Sequence, residues 1–305
     1  MDIMIFVVSM AALIYGADHI IEQSEKIALH FDISPFVIGA TLIALGTSLP
    51  EMAVSMSASY KGSGDIAVAN VIGSTIFNIS LVLGAVFLIA KKIQPERDLF
   101  AKDSSWSLFP ILIFLLMGMD GQLSRLDGFL FLIIMGAYLL FLVQSDQMEE
   151  IDEDLAKEKF GWGKSLTLLL LGFVFVVGGA DFAIGSAGNI ARDFGISEWI
   201  IGLFLVAFGT SLPELVVSVK AALNNNADMA IGAIIGSNVA NFTMVLGLSS
   251  LINPLTVDLN GNFFDIMAAL IVSVMLVFIT ANKLYNKSAG LVMMSVLVLV
   301  ISNSF

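Results

Sequence analysis

One six-residue stretch, Gly-Thr-Ser-Leu-Pro-Glu, occurs twice in the chain, at residues 46–51 and again at residues 209–214. A second pattern, Gly-Ser-x-x-x-Asn, also occurs twice, beginning at Gly73 and at Gly236. The same offset of 163 residues separates both pairs (209 − 46 and 236 − 73). Because independent motifs would not share one offset over so long a distance, the sequence indicates a duplicated unit.

Composition decides the class of protein to which this unit belongs. Hydrophobic residues make up 58% of the 305 residues, charged residues only 13%, and the mean hydropathy is +0.94. Apolar runs long enough to cross a bilayer follow one another, which predicts an all-α polytopic membrane protein. The absence of cysteine excludes disulfides, thiolate metal sites and thiol nucleophiles. Much of the net charge of −12 lies in one linker, and the sequence has no basic patch for nucleic acid.

We predict ten transmembrane helices, five in each copy of the duplicated unit. The first copy occupies residues 1–145, an acidic linker residues 146–163, and the second copy residues 164–305. The run that begins at Met1 lacks the basic residues of a cleaved signal peptide, so we interpret it as the first span. The predicted spans are 3–24, 34–58, 66–90, 104–119, 126–143, 165–190, 198–222, 228–252, 263–281 and 288–303.

Basic residues predict the orientation of these spans in the cell membrane. With the N-terminus outside, all but Lys61, Arg125 and Arg192 of the 14 Lys and Arg residues fall in cytoplasmic loops. Both termini are then outside and the central linker is cytoplasmic. We interpret the linker as a solvated connection, because it lacks the ligand spacing and turn glycine of an EF-hand loop. Since five is odd, the second copy enters the membrane inverted, as in many secondary transporters.

Each copy of the six-residue motif places a glutamate, Glu51 or Glu214, near the middle of a predicted span. An unpaired carboxylate at that depth costs at least about 2–3 kcal/mol, so two of them need a compensating charge. No Lys or Arg lies at a comparable depth in any predicted span. If the glutamates are ionised, their partner is a cation from solution; the alternative is that they are protonated.

Pro50 and Pro213 predict broken helices in the second and seventh spans. A proline inside a helix offers no N–H to the carbonyl four residues earlier, here that of Gly46 or Gly209. Irregular backbone at membrane depth is tolerated where it lines a cavity, and its carbonyls then become available as ligands. The carbonyls concerned are those of Ala44, Gly46, Ala207 and Gly209.

Hydroxyl and amide side chains accompany both glutamates. Thr47 and Ser48 precede Glu51 by four and three residues, which places them on one face of any helical remainder. With their counterparts they form an all-oxygen set of formal charge −2, which suits Ca²⁺ or Na⁺ and disfavours Zn²⁺ and Cu⁺. The remaining members are Thr210, Ser211, Ser74, Asn78, Ser237 and Asn241.

These duplicated motifs make the sequence resemble the α-repeats of the sodium/calcium exchangers, in the Ca²⁺/cation antiporter superfamily. The resemblance covers essentially the whole chain and implies Na⁺-driven Ca²⁺ transport by alternating access. It also implies that one Ca²⁺ competes with three Na⁺, so that exchange is electrogenic. The ligands that it implies are Glu51 and Glu214 at the centre, hydroxyl or carbonyl oxygens of Thr47, Ser48, Thr210 and Ser211, carbonyls of Ala44 and Ala207, and the side chains of Ser74, Asn78, Ser237 and Asn241.

Two features depart from parts of that family. Potassium-dependent relatives carry Asp where this chain has Asn241, which favours a K⁺-independent exchanger. The linker is far too short for the regulatory Ca²⁺-binding domains of animal exchangers, which indicates a prokaryotic form.

Other functions stay open at this point. A Ca²⁺/H⁺ antiporter on the same scaffold would use Glu51 and Glu214 as proton carriers, and a passive cation channel would lack counter-ion coupling. An enzyme is disfavoured, because the sequence has no His-Glu-x-x-His motif and its Gly-x-Gly-Asp string at 62–65 falls in a predicted loop. We expect no resident cofactor and no protein partner, only membrane lipid and the transported ions. Asp18 and Asp181, at matching positions, are interpreted as structural or interfacial.

Overall fold

The structure is a computed structural model that describes residues 2–90, 93, 98–145, 161–193 and 208–303. Within these ranges the chain is almost entirely helical, and one short antiparallel pairing joins β1 (Gln122–Leu123) to β2 (Leu255–Thr256). Most of the predicted linker and the predicted ligand Ala207 lie outside the described residues.

The N-terminal part of the chain contains a long first helix followed by helices that are divided into segments. π-helical segments at Gly39–Ile43 and Asn78–Leu83 each separate two α-helical segments, and short 3₁₀ segments occur at Ser104–Ser107 and Gly118–Asp120. The α-helices are α1 (Asp2–Phe31), α2 (Pro35–Ile38), α3 (Ala44–Thr47), α4 (Leu49–Tyr60), α5 (Gly64–Phe77), α6 (Gly84–Ile89), α7 (Leu99–Lys102), α8 (Phe109–Met117) and α9 (Arg125–Ser145).

The C-terminal part repeats this pattern of a long helix followed by segmented ones. Residues 208–210 are helical and precede a turn at Ser211. A π-helical segment, Asn241–Val245, again separates two α-helical segments. The α-helices are α10 (Trp162–Asp193), α11 (Leu212–Leu223), α12 (Ala227–Ala240), α13 (Leu246–Ile252), α14 (Phe263–Ala281) and α15 (Lys287–Asn303).

Helix length and hydropathy identify a membrane protein. Among the described residues, six helices are long and apolar enough to cross a bilayer, or seven if the bent pair Pro35–Thr47 and Leu49–Tyr60 is one span. Two shorter apolar helices, Ser104–Asp120 and Lys287–Asn303, also overlap predicted spans. The predicted span 198–222 lies partly outside the described residues. The six long helices are Asp2–Phe31, Gly64–Ile89, Arg125–Ser145, Trp162–Ser186, Ala227–Ile252 and Phe263–Ala281.

The break in the second predicted span is confirmed, and it lies at Ser48. This residue leaves helical geometry (φ −83°, ψ 8°) between α3 and α4. The segments on its two sides, Pro35–Thr47 and Leu49–Tyr60, are bent by 46° relative to each other. Pro50 then stands in the first turn of α4, where its missing N–H is not needed for an intrahelical bond. Ser211 has nearly the same backbone angles (φ −87°, ψ 1°), and Pro213 likewise stands in the first turn of α11. Both prolines therefore begin a new helix.

Close helix packing brings the two motif copies together. The π segment Gly39–Ile43 and the short helices α2 and α3 pack against α12 of the other copy. Gly232 and Gly236 permit this contact, since a Cβ at either position would collide with the backbone of Phe36 or Ala40. Helix α1 packs most extensively against α10.

Candidate ion-binding site

The two motif glutamates face a common buried region. Glu51 lies in the first turn of α4 and Glu214 in the first turn of α11, directly after the two breaks. Their exposed fractions are 0% and 1%. The two carboxylates are near enough to repel each other when both are ionised. The two broken helices therefore place Glu51 and Glu214, which are distant in the sequence, in the same buried region.

Hydroxyl groups from both copies surround Glu214. The Ser48 hydroxyl donates a hydrogen bond to Glu214 Oε1 over 3.0 Å. The hydroxyls of Thr47 and Ser237 lie beside the same carboxylate. Thr47 and Ser48 belong to the first copy and Ser237 to the second, so the surroundings of Glu214 depend on contact between the copies.

The surroundings of Glu51 follow the same pattern. The Ser74 hydroxyl donates to Glu51 Oε1 over a long 3.4 Å. Thr210, from the second copy, lies beside the Glu51 carboxylate without forming a well-aligned hydrogen bond. Each glutamate is therefore next to a serine of its own copy and a threonine of the other.

Several buried oxygens of this region have no hydrogen-bond partner among the described residues. Buried polar atoms in proteins are usually paired, so a group of unpaired acceptors indicates that something else binds there. A cation would satisfy these oxygens. They are Glu51 Oε2, Glu214 Oε2, Asn78 Oδ1, Asn241 Oδ1 and Ser211 Oγ.

No basic group of the described chain compensates the two carboxylates. In these ranges, no Lys, Arg or His side chain interacts electrostatically with the carboxylate of Glu51 or Glu214. Among the described residues, no three or more His, Cys, Asp or Glu side chains lie close enough together to hold a metal ion. A bound metal ion would consequently depend on hydroxyl, amide and carbonyl oxygens as well as on the two carboxylates.

The predicted ligands that fall within the described residues are all buried. The Ala44 carbonyl is engaged within the protein, because it accepts hydrogen bonds from the Ser48 N–H (3.1 Å) and the Ser237 hydroxyl (3.4 Å). Ala207 lies outside the described range. The buried predicted ligands are Ala44, Thr47, Ser48, Glu51, Ser74, Asn78, Thr210, Ser211, Glu214, Ser237 and Asn241.

Two features of this region were not predicted from the sequence. Asn78 and Asn241 each begin a π-helical segment, a deviation that is frequent at functional sites. Asn238 accepts a hydrogen bond from the Asn78 side chain over 3.2 Å. A comparison of the two copies overlooks Asn238, because the matching residue is Thr75 (238 − 163).

Comparison with known proteins identifies the family. The sequence model of the family described as "Sodium/calcium exchanger protein" matches residues 1–144 and 164–305. This chain belongs to the sodium/calcium exchanger family. The resemblance inferred from the two motifs is thereby confirmed, and the family is one of transporters rather than enzymes.

Individual known proteins resemble this chain over nearly their full length. The "Uncharacterized membrane protein MJ0091" of Methanocaldococcus jannaschii is 39% identical, over 92% of this chain and 90% of its own. The "Sodium/calcium exchanger MaX1" of Methanosarcina acetivorans is 31% identical, over 96% and 95%. A solved structure of the sodium-calcium exchanger NCX_Mj, soaked with zero Na⁺ and Ca²⁺, matches with a TM-score of 0.85 and 34% identity, covering 100% of this chain and 99% of that one.

Proposed function

We propose that this exchanger-family chain is a Na⁺/Ca²⁺ antiporter of the cell membrane that works by alternating access. The observation that carries the proposal is the buried pair Glu51 and Glu214, which lacks a basic partner within the described residues. Two ionised carboxylates inside a membrane protein need compensating positive charge. One Ca²⁺ or two Na⁺ supplies that charge.

The ligand set proposed for these ions is all oxygen and comes from both copies. Ca²⁺ accepts six to eight oxygens in flexible geometry. The unpaired buried acceptors of the region support this assignment. The proposed ligands are Glu51, Glu214, Thr47, Ser48, Thr210, Ser211, Asn78, Asn241, Ser74, Ser237, Ala44 and Ala207.

Competition between Ca²⁺ and Na⁺ follows from the sharing of two carboxylates. A Ca²⁺ ion bound by both carboxylates would occupy the oxygens that Na⁺ needs there and would repel a Na⁺ ion at contact distance. The two ions are therefore loaded alternately. With three Na⁺ the loaded site is positive, whereas with Ca²⁺ it is neutral, so exchange is electrogenic. Asn241 adds no third carboxylate, which supports K⁺ independence.

We further propose the architecture that alternating access requires. It consists of ten transmembrane helices in two inverted five-helix halves, residues 1–145 and 164–305, joined by a cytoplasmic linker at 146–163, with both termini outside. The matching breaks at Ser48 and Ser211 support an equivalence of the second and seventh helices. Inverted halves have two near-equivalent packings, which alternately open the central site to either side.

The alternatives are less well supported. A Ca²⁺/H⁺ antiporter needs the same carboxylates, but the matched family and the matched solved structure are those of sodium/calcium exchangers. A passive channel needs neither an enclosed acidic pair nor a duplicated, segmented scaffold. The sodium-coupled mechanism accounts for both.

The deciding experiment measures ⁴⁵Ca²⁺ uptake into proteoliposomes that contain the purified protein. We expect uptake to be driven by an outward Na⁺ gradient, to respond to the membrane potential, and to proceed without K⁺. Uptake that follows an outward pH gradient and ignores Na⁺ would identify a Ca²⁺/H⁺ antiporter. A Ca²⁺ conductance without any counter-ion coupling would identify a channel.

A further inference from the structure

A hydrogen bond between two asparagines distinguishes the first copy of the site from the second. Asn78 Nδ2 donates to Asn238 Oδ1 over 3.2 Å, and the two side chains are 0% and 2% exposed. Asn78 begins the π segment after α5, whereas Asn238 lies in α12 of the other copy. Asn78 is one of the proposed ion ligands, and Asn238 is not.

This hydrogen bond determines what Asn78 can offer to an ion. A side-chain amide carries one acceptor oxygen and one NH₂ group, and only the oxygen attracts a cation. The NH₂ group of Asn78 donates its hydrogen bond to Asn238 Oδ1. Asn78 Oδ1 is buried and has no hydrogen-bond partner in the described part of the chain. The oxygen is thus left free for an ion while the repulsive NH₂ group is held away.

The second copy has no equivalent arrangement. Asn241 matches Asn78, and neither Oδ1 nor Nδ2 of Asn241 has a hydrogen-bond partner within the described ranges. Thr75 matches Asn238, and its hydroxyl donates to the carbonyl of Val71 over 2.9 Å within its own helix. The duplication therefore provides an oriented amide in one copy and an unrestrained amide in the other.

We propose that Asn238 is a positioning residue for the ion site: its amide oxygen holds the Asn78 NH₂ group and so presents Asn78 Oδ1 to the bound cation. This inference rests on the proposed function, because it takes Asn78 as an ion ligand. A ligand that is oriented before the ion arrives reduces the entropic cost of binding. Removing the partner of a metal ligand typically weakens metal binding about 10- to 100-fold.

The test replaces Asn238 by the residue that the first copy carries. In Asn238→Thr, we expect the Kd for ⁴⁵Ca²⁺, measured on purified protein without Na⁺, to rise about 10-fold or more. The exchange rate at saturating Ca²⁺ should fall much less than the affinity does, because Asn238 is not among the proposed ligands. Asn238→Asp retains an acceptor for the Asn78 NH₂ group, so its Kd should equal that of the wild type or fall below it.

Two further variants separate positioning from a general packing effect. In an Asn78→Ala background, Asn238→Thr should have no additional effect on the Kd, since the group that it positions is gone. Thr75→Val, the matched control in the first copy, removes only the hydrogen bond to the Val71 carbonyl and should leave the Kd unchanged. Cooperative thermal unfolding of Asn238→Thr and Asn238→Asp without Ca²⁺ establishes that both variants are folded before their Kd values are compared.

Any one of three results overturns the inference. The Kd of Asn238→Thr is unchanged, the Kd of Asn238→Asp rises as much as that of Asn238→Thr, or Asn238→Thr raises the Kd by its full factor in the Asn78→Ala background. If Asn238→Thr does not fold, Asn238→Ala replaces it with the same expected and contrary results. Wild-type protein that binds Ca²⁺ but shows no Na⁺-driven flux contradicts the proposed function alone, because the binding experiment still decides the role of Asn238. Wild-type protein that binds no Ca²⁺ overturns both.

Discussion

The hydroxyl of Ser48 donates a hydrogen bond to Oε1 of Glu214 over 3.0 Å, although 166 residues separate the two in the sequence. Ser48 is the residue at which one helix breaks, and Glu214 is the carboxylate that follows the other break. The bond therefore joins the two copies of the duplicated motif at their functional groups. It also makes the copies unequal, because the hydroxyl of Ser211, which matches Ser48, has no hydrogen-bond partner among the described residues.

Replacing the two break serines should affect stability unequally. Ser48→Ala removes a buried hydrogen bond to a carboxylate and should lower the free energy of unfolding by about 1.5–3 kcal/mol. Ser211→Ala removes no hydrogen bond of the described structure and should change that free energy by less. Thermal unfolding of both variants in ion-free buffer provides the measurement. Equal destabilisation by the two substitutions would contradict this asymmetry.

Neutralising either central carboxylate should abolish Ca²⁺ transport. Glu51→Gln or Glu214→Gln removes one charge from a buried ion contact, a loss of about 3 kcal/mol and therefore roughly 100-fold in affinity. Folding should persist, because the substitution removes an unpaired buried charge. The measurement is ⁴⁵Ca²⁺ flux in proteoliposomes, with Asp65→Asn, an exposed carboxylate, as the control that should retain wild-type flux. Near-normal flux in either glutamine variant would remove that glutamate from the site.

Adding a third carboxylate should alter the dependence on monovalent ions. Asn241→Asp introduces a negative charge where the amide of Asn241 has no hydrogen-bond partner in the described structure. The additional charge favours occupancy by a further cation, so the Na⁺ or K⁺ dependence of Ca²⁺ uptake should change. Asn224→Asp adds the same charge at an exposed turn and should leave both dependences as they are. Identical ion dependences in Asn241→Asp and wild type would refute this role of Asn241.

Two glycines at matching positions should respond oppositely to alanine. A Cβ at Gly236 would collide with the backbone of Ala40, whereas a Cβ at Gly73 would meet nothing within 4 Å. Gly236→Ala should destabilise the protein by about 1–3 kcal/mol or more, because two helices must move apart. Gly73→Ala should be neutral or stabilise by about 0.4–1 kcal/mol, since alanine restricts the unfolded chain. Thermal unfolding of the two variants in the same detergent tests both expectations, and similar melting temperatures would contradict them.

The local features of the site were predictable because each depends on residues that are neighbours in the chain. Pro50 predicts a break in its span, and the break lies at Ser48, two residues earlier, because proline is tolerated in the first turn of the next helix. The π segments at Asn78 and Asn241 were not predictable, since an extra residue in a helical turn leaves no distinct pattern in the sequence.

The amino-acid sequence by itself determined the class of protein, the duplication and the chemistry of the candidate ligands, because apolar runs and repeated motifs are visible without any three-dimensional contact. Only the tertiary structure decided which oxygens meet. The Ser48 hydroxyl donates a hydrogen bond to Glu214, and the Asn78 NH₂ group donates one to Asn238. Gly236 packs against the backbone of Ala40, whereas its counterpart Gly73 has open space where a Cβ would lie. Two copies of one motif favour the same local backbone structure because their sequences are the same. Packing between helices gives each copy different neighbours, and those neighbours distinguish the two half-sites.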